Sequence, residues 1–256
     1  MAYSPFDLTG KCALITGGNR GIGLGMAQAL AQAGADVVIW GTNEAANAAA
    51  QASLKEYGRK VLVQKVNVAD EAQVDEAFEA SVAAMGRIDS VFANAGIGRG
   101  AKSLMEMKTS DYRDVLAVNQ DGVFFTLRAA ARHMSARPGG GSLVGVASLA
   151  AIEGAARNQH YAATKGAVIS MIRATAVELA RYGVRANAIL PGWIETDMTA
   201  NAAGNPVFQE KVINRVPARR WGTPADFGGI AVYLASDASS FHSGDTFVID
   251  GGYSIF

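Results

Sequence analysis

The sequence predicts a doubly wound α/β fold: one Rossmann-like parallel sheet of about seven strands with helices on both faces. Seven short apolar or β-branched runs alternate with longer Ala-rich segments of helical character. Most of these runs are continuously apolar, which is typical of strands buried on both faces of a parallel sheet. No Pro/Gly-rich linker, low-complexity tract or internal repeat interrupts the alternation, so residues 1–256 are predicted to form a single catalytic domain.

Each element follows from these runs in order. The predicted strands are CALIT, DVVIW, VLVQKVNV, SVFANAG, SLVGVAS, VRANAIL and TFVID. The crossover helices are expected at about residues 21–33, 44–58, 71–85, 110–136, 158–182 and 224–236. The least regular segment, residues 193–222, follows the sixth strand. Because ligands bind beyond the carboxyl ends of the strands in such sheets, this segment is predicted to be a substrate lid.

Composition excludes several classes of protein. Lys and Arg number 23 against 23 Asp and Glu, which disfavours nucleic acid and anionic membranes as partners and favours a small-molecule substrate. Cys12 is the only cysteine, which fits a reducing cytoplasm, and the three histidines are too far apart for a local metal motif. No signal peptide or membrane span is recognisable, so a soluble cytoplasmic protein without a metal is expected.

A glycine-rich turn, TGGNRGIG, follows the first strand and opens the first helix. Gly17, Gly21 and Gly23 would permit a tight turn and let a pyrophosphate approach the N-terminus of the helix, where its dipole favours negative charge. The spacing is G-x-x-x-G-x-G and differs from the common dinucleotide G-x-G-x-x-G. Glycines also occur in ordinary strand-to-helix connections, but the strand-turn-helix context favours a nucleotide site.

The end of the second strand bears on cofactor choice. Dinucleotide folds often place an acidic residue here to hold the adenosine 2′-hydroxyl, but this chain has Gly41, Thr42 and Asn43. Arg20 in the glycine turn could reach a 2′-phosphate, so NADP(H) is favoured. Alternatively, Arg20 is a solvated surface residue and Thr42 and Asn43 merely start a helix, which leaves NAD(H) open.

Polar residues later in the chain suggest catalysis. Tyr161 and Lys165 are four residues apart in NQHYAATKGA, so a helix would place both on one face. Taken singly, Ser148 could be a strand-end cap, Asn119 a polar residue bonding within its helix, and Lys165 a snorkelling lysine. Taken together with the motifs that carry the family resemblance described next, the four residues indicate one active site.

The chain resembles the short-chain dehydrogenase/reductase family from about residue 8 to its end. The motifs that carry the resemblance are TGGNRGIG, NAG at residues 94–96, Asn119, Ser148, the Tyr161/Lys165 pair and PGW at residues 191–193. The resemblance implies an NAD(P) cofactor, a catalytic tetrad of Asn119, Ser148, Tyr161 and Lys165, and a homotetramer. It also implies the following cofactor-binding residues: Gly17, Asn19, Arg20, Gly21, Ile22, Gly23, Thr42, Asn43, Asn67, Val68, Asn94, Ala95, Gly96, Tyr161, Lys165, Pro191, Gly192, Ile194 and Thr196.

Two positions depart from the family pattern. Asn67 stands where many relatives have aspartate, but its amide can still accept a hydrogen bond from the adenine amino group. Ala147 replaces the first of two adjacent serines, and Ser148 keeps the catalytic position.

Hydride transfer to a carbonyl needs a hydrogen-bond donor and a proton for the developing oxyanion. Tyr161 can supply that proton, and the charge of Lys165 and of the nicotinamide is expected to lower the pKa of its phenol. Ser148 can donate to the same oxygen. The resemblance assigns Lys165 to the nicotinamide ribose and Asn119 to a water in a proton relay.

The resulting hypothesis is an NAD(P)-dependent oxidoreductase that interconverts a secondary alcohol and a ketone. A catalytically inactive dinucleotide-binding regulator is the alternative, and it predicts a broken tetrad. A nucleotide-sugar epimerase or dehydratase would need a further substrate domain, for which 256 residues leave no room.

The sequence leaves the substrate open. Pocket candidates are residues 97–99, 149–157 and 193–221. Glu153, Arg157 and His160 would suit a sugar or sugar acid, whereas Trp193, Met198 and Phe208 would suit an apolar substrate. The polar side chains could equally face solvent. A sugar or polyol is slightly favoured.

Overall fold

A computed structural model describes residues 4–256 and contains one seven-stranded sheet in which every pairing is parallel. The strand order is β3-β2-β1-β4-β5-β6-β7. The strands are β1 (Cys12–Thr16), β2 (Asp36–Gly41), β3 (Val61–Lys65), β4 (Ser90–Ala93), β5 (Gly141–Val146), β6 (Val184–Pro191) and β7 (Thr246–Ile249). The predicted fold class is confirmed. Strands β1 to β3 are added toward one edge of the sheet and β4 to β7 toward the other, so the strand order switches between β1 and β4. In such sheets ligands bind in the crevice at the carboxyl ends of the strands on either side of this switch.

Helices cover both faces of the sheet. They are α1 (Gly21–Gln32), α2 (Glu44–Lys55), α3 (Glu71–Met85), α4 (Thr109–Leu116), α5 (Gly122–Ser135), α6 (Ala150–Glu153), α7 (Gln159–Leu179), α8 (Ala200–Ala203), α9 (Pro206–Arg215) and α10 (Gly228–Ala235). Side-chain caps define several starts: Asn43 accepts from the Ala46 amide at α2, and Asp70 accepts from the Gln73 amide at α3. No helix within residues 4–256 combines the length and apolar character needed to cross a bilayer.

The continuously apolar strands bury side chains on both faces. In β1, Leu14 joins a core cluster with Trp40 and with side chains of α3, α5 and α7. Its neighbour Ile15 joins a second cluster with Met26 and with side chains of α1, α2 and α10. Successive strand residues point to opposite faces, so a strand between two helical layers needs apolar residues at every position.

Several predicted boundaries differ from the structure, and two of the differences bear on the site. The segment predicted as one helix at residues 110–136 is α4 and α5 joined by a π-helical turn, Ala117–Asp121, which contains Asn119. Such turns occur frequently at functional sites. The third predicted strand, VLVQKVNV, leaves the sheet after Lys65, and residues 66–68 instead border the cavity described below.

The segment predicted to be irregular, residues 193–222, contains two helices, α8 and α9. We call residues 193–222 the lid segment. Its ends are joined by a parallel bridge between Ile194 and Gly222, where the Glu195 amide donates to the Gly222 carbonyl over 2.9 Å. Inside the segment, Trp221 is buried with Val212 and Val216, so the lid segment has a small apolar cluster of its own.

Candidate active site

A cavity of about 400 Å³ opens at the carboxyl edge of the sheet. The glycine turn, the ends of β2, β4, β5 and β6, the start of α7 and the first residues of the lid segment border it. Of the catalytic and cofactor-binding residues predicted from the sequence, all but Asn43 and Asn119 line it: Gly17, Asn19, Arg20, Gly21, Ile22, Gly23, Thr42, Asn67, Val68, Asn94, Ala95, Gly96, Ser148, Tyr161, Lys165, Pro191, Gly192, Ile194 and Thr196.

Sequence reasoning missed four residues that line the same cavity: Trp40, Val66, Val118 and Val146. Two more lining residues lie within the predicted pocket range 193–221 but were not singled out, Asp197 and Thr199. A sequence signal existed for the last of these. In the stretch TDMT, the Thr199 hydroxyl accepts from the Thr196 amide over 3.0 Å and donates to the Ile194 carbonyl over 2.5 Å. Such Ser/Thr turns are recognisable from residue type and spacing.

The glycine turn has the geometry of a dinucleotide site. Gly17 and Gly21 adopt φ values of +63° and +53°, which favour glycine over L side chains. A Cβ on Gly23 would lie 2.2 Å from the Gly17 carbonyl oxygen, so any side chain there would collide with the turn. Arg20, the N-cap of α1, makes no side-chain cap, which leaves the first amides of the helix for an anion. The residues present therefore fit the pyrophosphate of a dinucleotide.

Hydrogen bonds fix the glycine turn against β2 and α2. Asn19 Nδ2 donates to Asn47 Oδ1 over 2.7 Å, and Asn47 Nδ2 donates to the Gly41 carbonyl over 3.0 Å. Thr42 is exposed at the edge of the cavity. Asn43 instead caps α2, which explains why it does not line the cavity.

Asn67 lies on the connection between β3 and α3, and its side-chain oxygen accepts from the Ala69 amide over 3.1 Å. On the other side of the glycine turn, the Asn94 side-chain amide donates to the Thr16 carbonyl over 2.9 Å. These contacts hold both loops at the cavity wall.

Asn119 is fully buried behind the cavity wall. Its Oδ1 accepts from the Ile97 amide over 2.8 Å and its Nδ2 donates to the Ile97 carbonyl over 2.9 Å. The side chain therefore bonds across to the loop after β4 and not within its own helix. A Cβ on Gly96 would lie 3.3 Å from Asn119 Oδ1 and 3.5 Å from Lys165 Nζ, so this glycine lies next to both groups.

Lys165 is a buried lysine, only 3% exposed. Its Nζ donates to the Val146 carbonyl over 2.8 Å and lies 5.6 Å from the centre of the Tyr161 ring. Burial disfavours the charged form and lowers the pKa of Lys165 to about 8. This burial excludes the explanation of a snorkelling surface lysine.

The protein's own groups raise the pKa of Tyr161, whereas the predicted lowering also included the charge of the nicotinamide. Burial raises the pKa of the phenol, and a hydrogen bond with the Ser148 hydroxyl opposes that rise only in part. The expected depression by Lys165 is absent from the protein's own contacts. The reason is geometric and electrostatic: Nζ faces the ring and the Val146 carbonyl, and the lysine itself ionises less readily than a solvated one.

Ser148 lies directly after β5 and links two elements of the site. Its hydroxyl accepts from the Ala150 amide over 3.2 Å at the start of α6 and also bonds to the Tyr161 side chain. Ser148 and Tyr161 thus present two hydroxyls at one end of the cavity. Hydroxyl donors fixed in this way suit a developing oxyanion.

Most substrate candidates from the sequence lie away from the cavity. His160 is fully buried and does not line the cavity, and both ring nitrogens lack a hydrogen-bond partner among residues 4–256. Trp193 packs against Phe208 and Trp221 within the lid segment. Of the apolar candidates, Met198 lines the cavity, and its sulfur would be 3.7 Å from a Cβ on Gly98.

The charged substrate candidates make contacts outside the cavity lining. Glu153 lies 3.8 Å from the Arg215 guanidinium, which connects α6 to the lid segment. Arg157 adopts a left-handed φ of +68°, and its carbonyl accepts from the Ala101 amide over 2.9 Å.

Comparison with known proteins identifies the chain's relatives. A family model described as enoyl-(acyl carrier protein) reductase matches residues 17–254. The chain is 36% identical to 2-dehydro-3-deoxy-D-gluconate 5-dehydrogenase of Escherichia coli (strain K12), over 99% of each chain. It is 37% identical to the 3-oxoacyl-[acyl-carrier-protein] reductase FabG of Chlamydia pneumoniae, over 96% of this chain and 97% of the relative.

A solved structure agrees in fold and sequence. The gluconate 5-dehydrogenase from Burkholderia cenocepacia J2315, in complex with NADP and tartrate, superposes with a TM-score of 0.94 at 38% identity, over 99% of each chain.

The fold and the relatives define an NAD(P)-dependent oxidoreductase that acts on CH–OH groups and interconverts a secondary alcohol and a ketone. The chain belongs to the short-chain dehydrogenase/reductase family, as its motifs predicted. The names of the relatives support the enzyme over the inactive regulator.

Proposed function

We propose that this enzyme interconverts a secondary hydroxyl and a ketone on a sugar acid, with NADP(H) as the hydride carrier. The observation that carries the proposal is one continuous cavity. It runs from the glycine turn, where Arg20 lies, to the hydroxyls of Ser148 and Tyr161 beside Lys165.

The adenosine end of the cavity supports NADP(H). Gly41, Thr42 and Asn43 place no carboxylate at the end of β2 that would repel a 2′-phosphate. Arg20 follows Asn19, which is linked to this strand end through Asn47. The related structure with bound NADP points in the same direction.

At the other end, the tetrad residues take distinct roles. When bound, the dinucleotide supplies or accepts the hydride. Tyr161 holds the proton that moves to or from the substrate oxygen, and its raised pKa keeps the phenol protonated and ready to donate during carbonyl reduction. Ser148 donates a hydrogen bond to the same oxygen. Lys165, with a pKa of about 8, can exchange protons near neutral pH.

Asn119 acts as a positioning residue in this scheme. It fixes both backbone groups of Ile97, and the loop that contains Ile97 and Gly96 lies against Lys165. A role in holding a water molecule for proton relay stays a prediction.

The sugar-acid substrate is supported by the names of two relatives that act on gluconate or a dehydro-deoxy-gluconate. A second candidate is a 3-oxoacyl thioester, which the FabG relative and the description of the family model favour. The two classes differ in charge and shape, so a substrate panel can separate them.

The architecture supports further proposals. Residues 1–256 would form one catalytic domain, consistent with one seven-stranded sheet, and the lid segment would cover the substrate, since Ile194, Thr196 and Met198 line the cavity. A homotetramer fits the exposed apolar side chains Val177 on α7 and Val248 on the edge strand β7. A cytoplasmic location remains a prediction.

The proposed function is tested by initial rates with NADPH and NADH against two substrate groups. One group holds gluconate, 2-dehydro-3-deoxy-D-gluconate and their keto forms, and the other holds short 3-oxoacyl thioesters. We expect the highest kcat/KM for a sugar acid with the NADP(H) couple. Preferential turnover of a thioester, or of NAD(H), would contradict the corresponding part of the proposal.

A further inference from the structure

An ion pair crosses the cavity between the glycine turn and the lid segment. Arg20 Nη1 lies 3.2 Å from Asp197 Oδ2, and both residues line the cavity. Asp197 is the only acidic residue among those lining the cavity within residues 4–256. The Arg20 side chain is 59% exposed and that of Asp197 is 77% exposed, so solvent screens the pair and a competing anion can reach it.

The backbone next to Arg20 is linked to the end of β2. Asn19 bonds to Asn47, which bonds to the Gly41 carbonyl at the end of β2. Arg20 follows Asn19 directly in the glycine turn, and dinucleotide folds recognise the adenosine 2′ position at this strand end. A long arginine side chain that starts here can reach a 2′-phosphate.

Asp197 is held by a separate set of contacts. Thr199 binds both the Thr196 amide and the Ile194 carbonyl, which forms a tight turn around Asp197. This turn lies against the glycine turn, because a Cβ on Gly21 would be 3.3 Å from Thr196 Cγ2. The aspartate therefore reaches Arg20 from the lid side.

We propose that Asp197 is a selectivity-determining residue: its carboxylate holds Arg20 in the free enzyme, and the 2′-phosphate of NADP(H) displaces it. The inference rests on the proposed preference for NADP(H). A phosphate near neutral pH carries more negative charge than a carboxylate and offers more acceptor oxygens, so it competes effectively for the guanidinium. NAD(H) lacks that phosphate and leaves the ion pair in place.

Because the 2′-phosphate must displace its carboxylate, Asp197 lowers the affinity for NADP(H) and leaves the affinity for NAD(H) unchanged. An exposed ion pair contributes at most about 1 kcal/mol, which corresponds to about a fivefold change in affinity. The lid segment is coupled to the adenosine end through the same contact, because a bound 2′-phosphate releases Asp197 from the glycine turn.

The test measures dissociation constants of NADPH and NADH by quenching of tryptophan fluorescence, without substrate. Four proteins are compared: wild type, Asp197→Asn, Arg20→Ala and the double variant. We expect Asp197→Asn to tighten NADPH three- to fivefold and to change NADH less than twofold. Arg20→Ala should weaken NADPH about tenfold or more, and the gain from Asp197→Asn should fall below twofold in the double variant.

Glu195→Gln is the matched control, because Glu195 is an exposed acidic residue of the lid segment that does not line the cavity. It should leave both constants within twofold of wild type. Equal effects of Glu195→Gln and Asp197→Asn would assign the gain to general charge and overturn the inference.

Three further results would also overturn it: unchanged NADPH affinity in Asp197→Asn, an equal gain for NADH, or a full gain in the absence of Arg20. Failure of the proposed function has a different signature. A wild-type enzyme that prefers NADH and is insensitive to Arg20→Ala contradicts the choice of cofactor itself, whatever Asp197 does.

Discussion

Lys165 Nζ lies 5.6 Å from the centre of the Tyr161 ring and donates its hydrogen bond to the Val146 carbonyl. The four-residue spacing on α7 brings the two side chains together, as helical geometry requires. The amine faces the ring and the end of β5, however, and burial lowers its pKa to about 8. The amine therefore lies beside the phenol ring at the cavity wall, and burial makes its charged form less stable than that of a solvated lysine.

Replacing Tyr161 by Phe removes the phenolic proton and keeps the ring. Positioned general acids contribute factors of about 10²–10⁴ in rate, so we expect kcat to fall by at least about a hundredfold. NADPH affinity should stay near wild type because the ring and Lys165 remain. Steady-state kinetics and a cofactor titration measure the two effects separately, and unchanged turnover would remove Tyr161 from the proton transfer.

Replacing Lys165 by Met separates function from stability. The folded-state pKa of about 8 lies below the ordinary value of 10.5, so the folded protein binds this proton less tightly than the unfolded chain. Wild-type stability therefore carries a penalty below pH 8 that disappears as the pH rises toward 10.5. We expect Lys165→Met to raise the free energy of unfolding at pH 7 by about 1–3 kcal/mol while abolishing turnover.

Urea unfolding at several pH values measures this penalty. The advantage of Lys165→Met should shrink between pH 8 and about pH 10. Lys55→Met, at the exposed end of α2, is the control and should show no such trend. A stability difference between Lys165→Met and wild type that stayed constant between pH 8 and about pH 10 would contradict a desolvated lysine.

Asn119→Ala tests the positioning role at the π-helical turn. The substitution leaves the Ile97 amide and carbonyl without their side-chain partner, so the loop after β4 should loosen. We expect a loss of about 2–3 kcal/mol in stability, faster hydrogen exchange at the Ile97 amide, and kcat reduced more than tenfold. An unchanged Ile97 exchange rate would show that the loop does not depend on Asn119.

We expect a contact of His133 near the start of β4 to be sensitive to acid. Its Nε2 accepts from the Ile88 amide over 3.2 Å and from Arg137 Nε over 3.2 Å. Burial first, and then the charge of Arg137, lower the pKa of His133. The neutral form is thus favoured in the folded state, so its contribution is complete above about pH 6.5 and is lost as the pH falls below that value.

We expect His133→Gln to flatten the fall in stability below pH 6.5, as measured by thermal unfolding across a pH series. His242→Gln is the control, because its ring lies 2.8 Å from Asp245 and takes no part in the contacts of His133. Identical pH profiles for wild type and His133→Gln would contradict the role of His133.

Much of the fold could be predicted because its strands are buried on both faces of the sheet. Leu14 and Ile15 serve opposite core clusters, and that arrangement appears in the sequence as an unbroken apolar run. The lid helices were missed, although Asn205 and Pro206 form a recognisable helix start, with Asn205 accepting from the Phe208 amide over 3.2 Å.

Other features depend on contacts between distant segments and leave no local signal. The π-helical turn at Asn119 is paired with Ile97, more than twenty residues away in the chain. The Arg20–Asp197 ion pair joins segments that meet only when the lid segment lies against the glycine turn. The direction of the Tyr161 pKa shift likewise depends on burial in the finished site.

The central claim is that Tyr161 exchanges a proton while a hydride passes between NADP(H) and a secondary carbon. The most direct measurement uses NADPH carrying deuterium at both hydrogen positions of nicotinamide C4, with the keto sugar acid that reacts fastest, and mass analysis of the product. We predict one deuterium on the new carbinol carbon for wild type and almost no labelled product for Tyr161→Phe. Cofactor consumption without label in the product, or equal labelling by Tyr161→Phe, would contradict the mechanism.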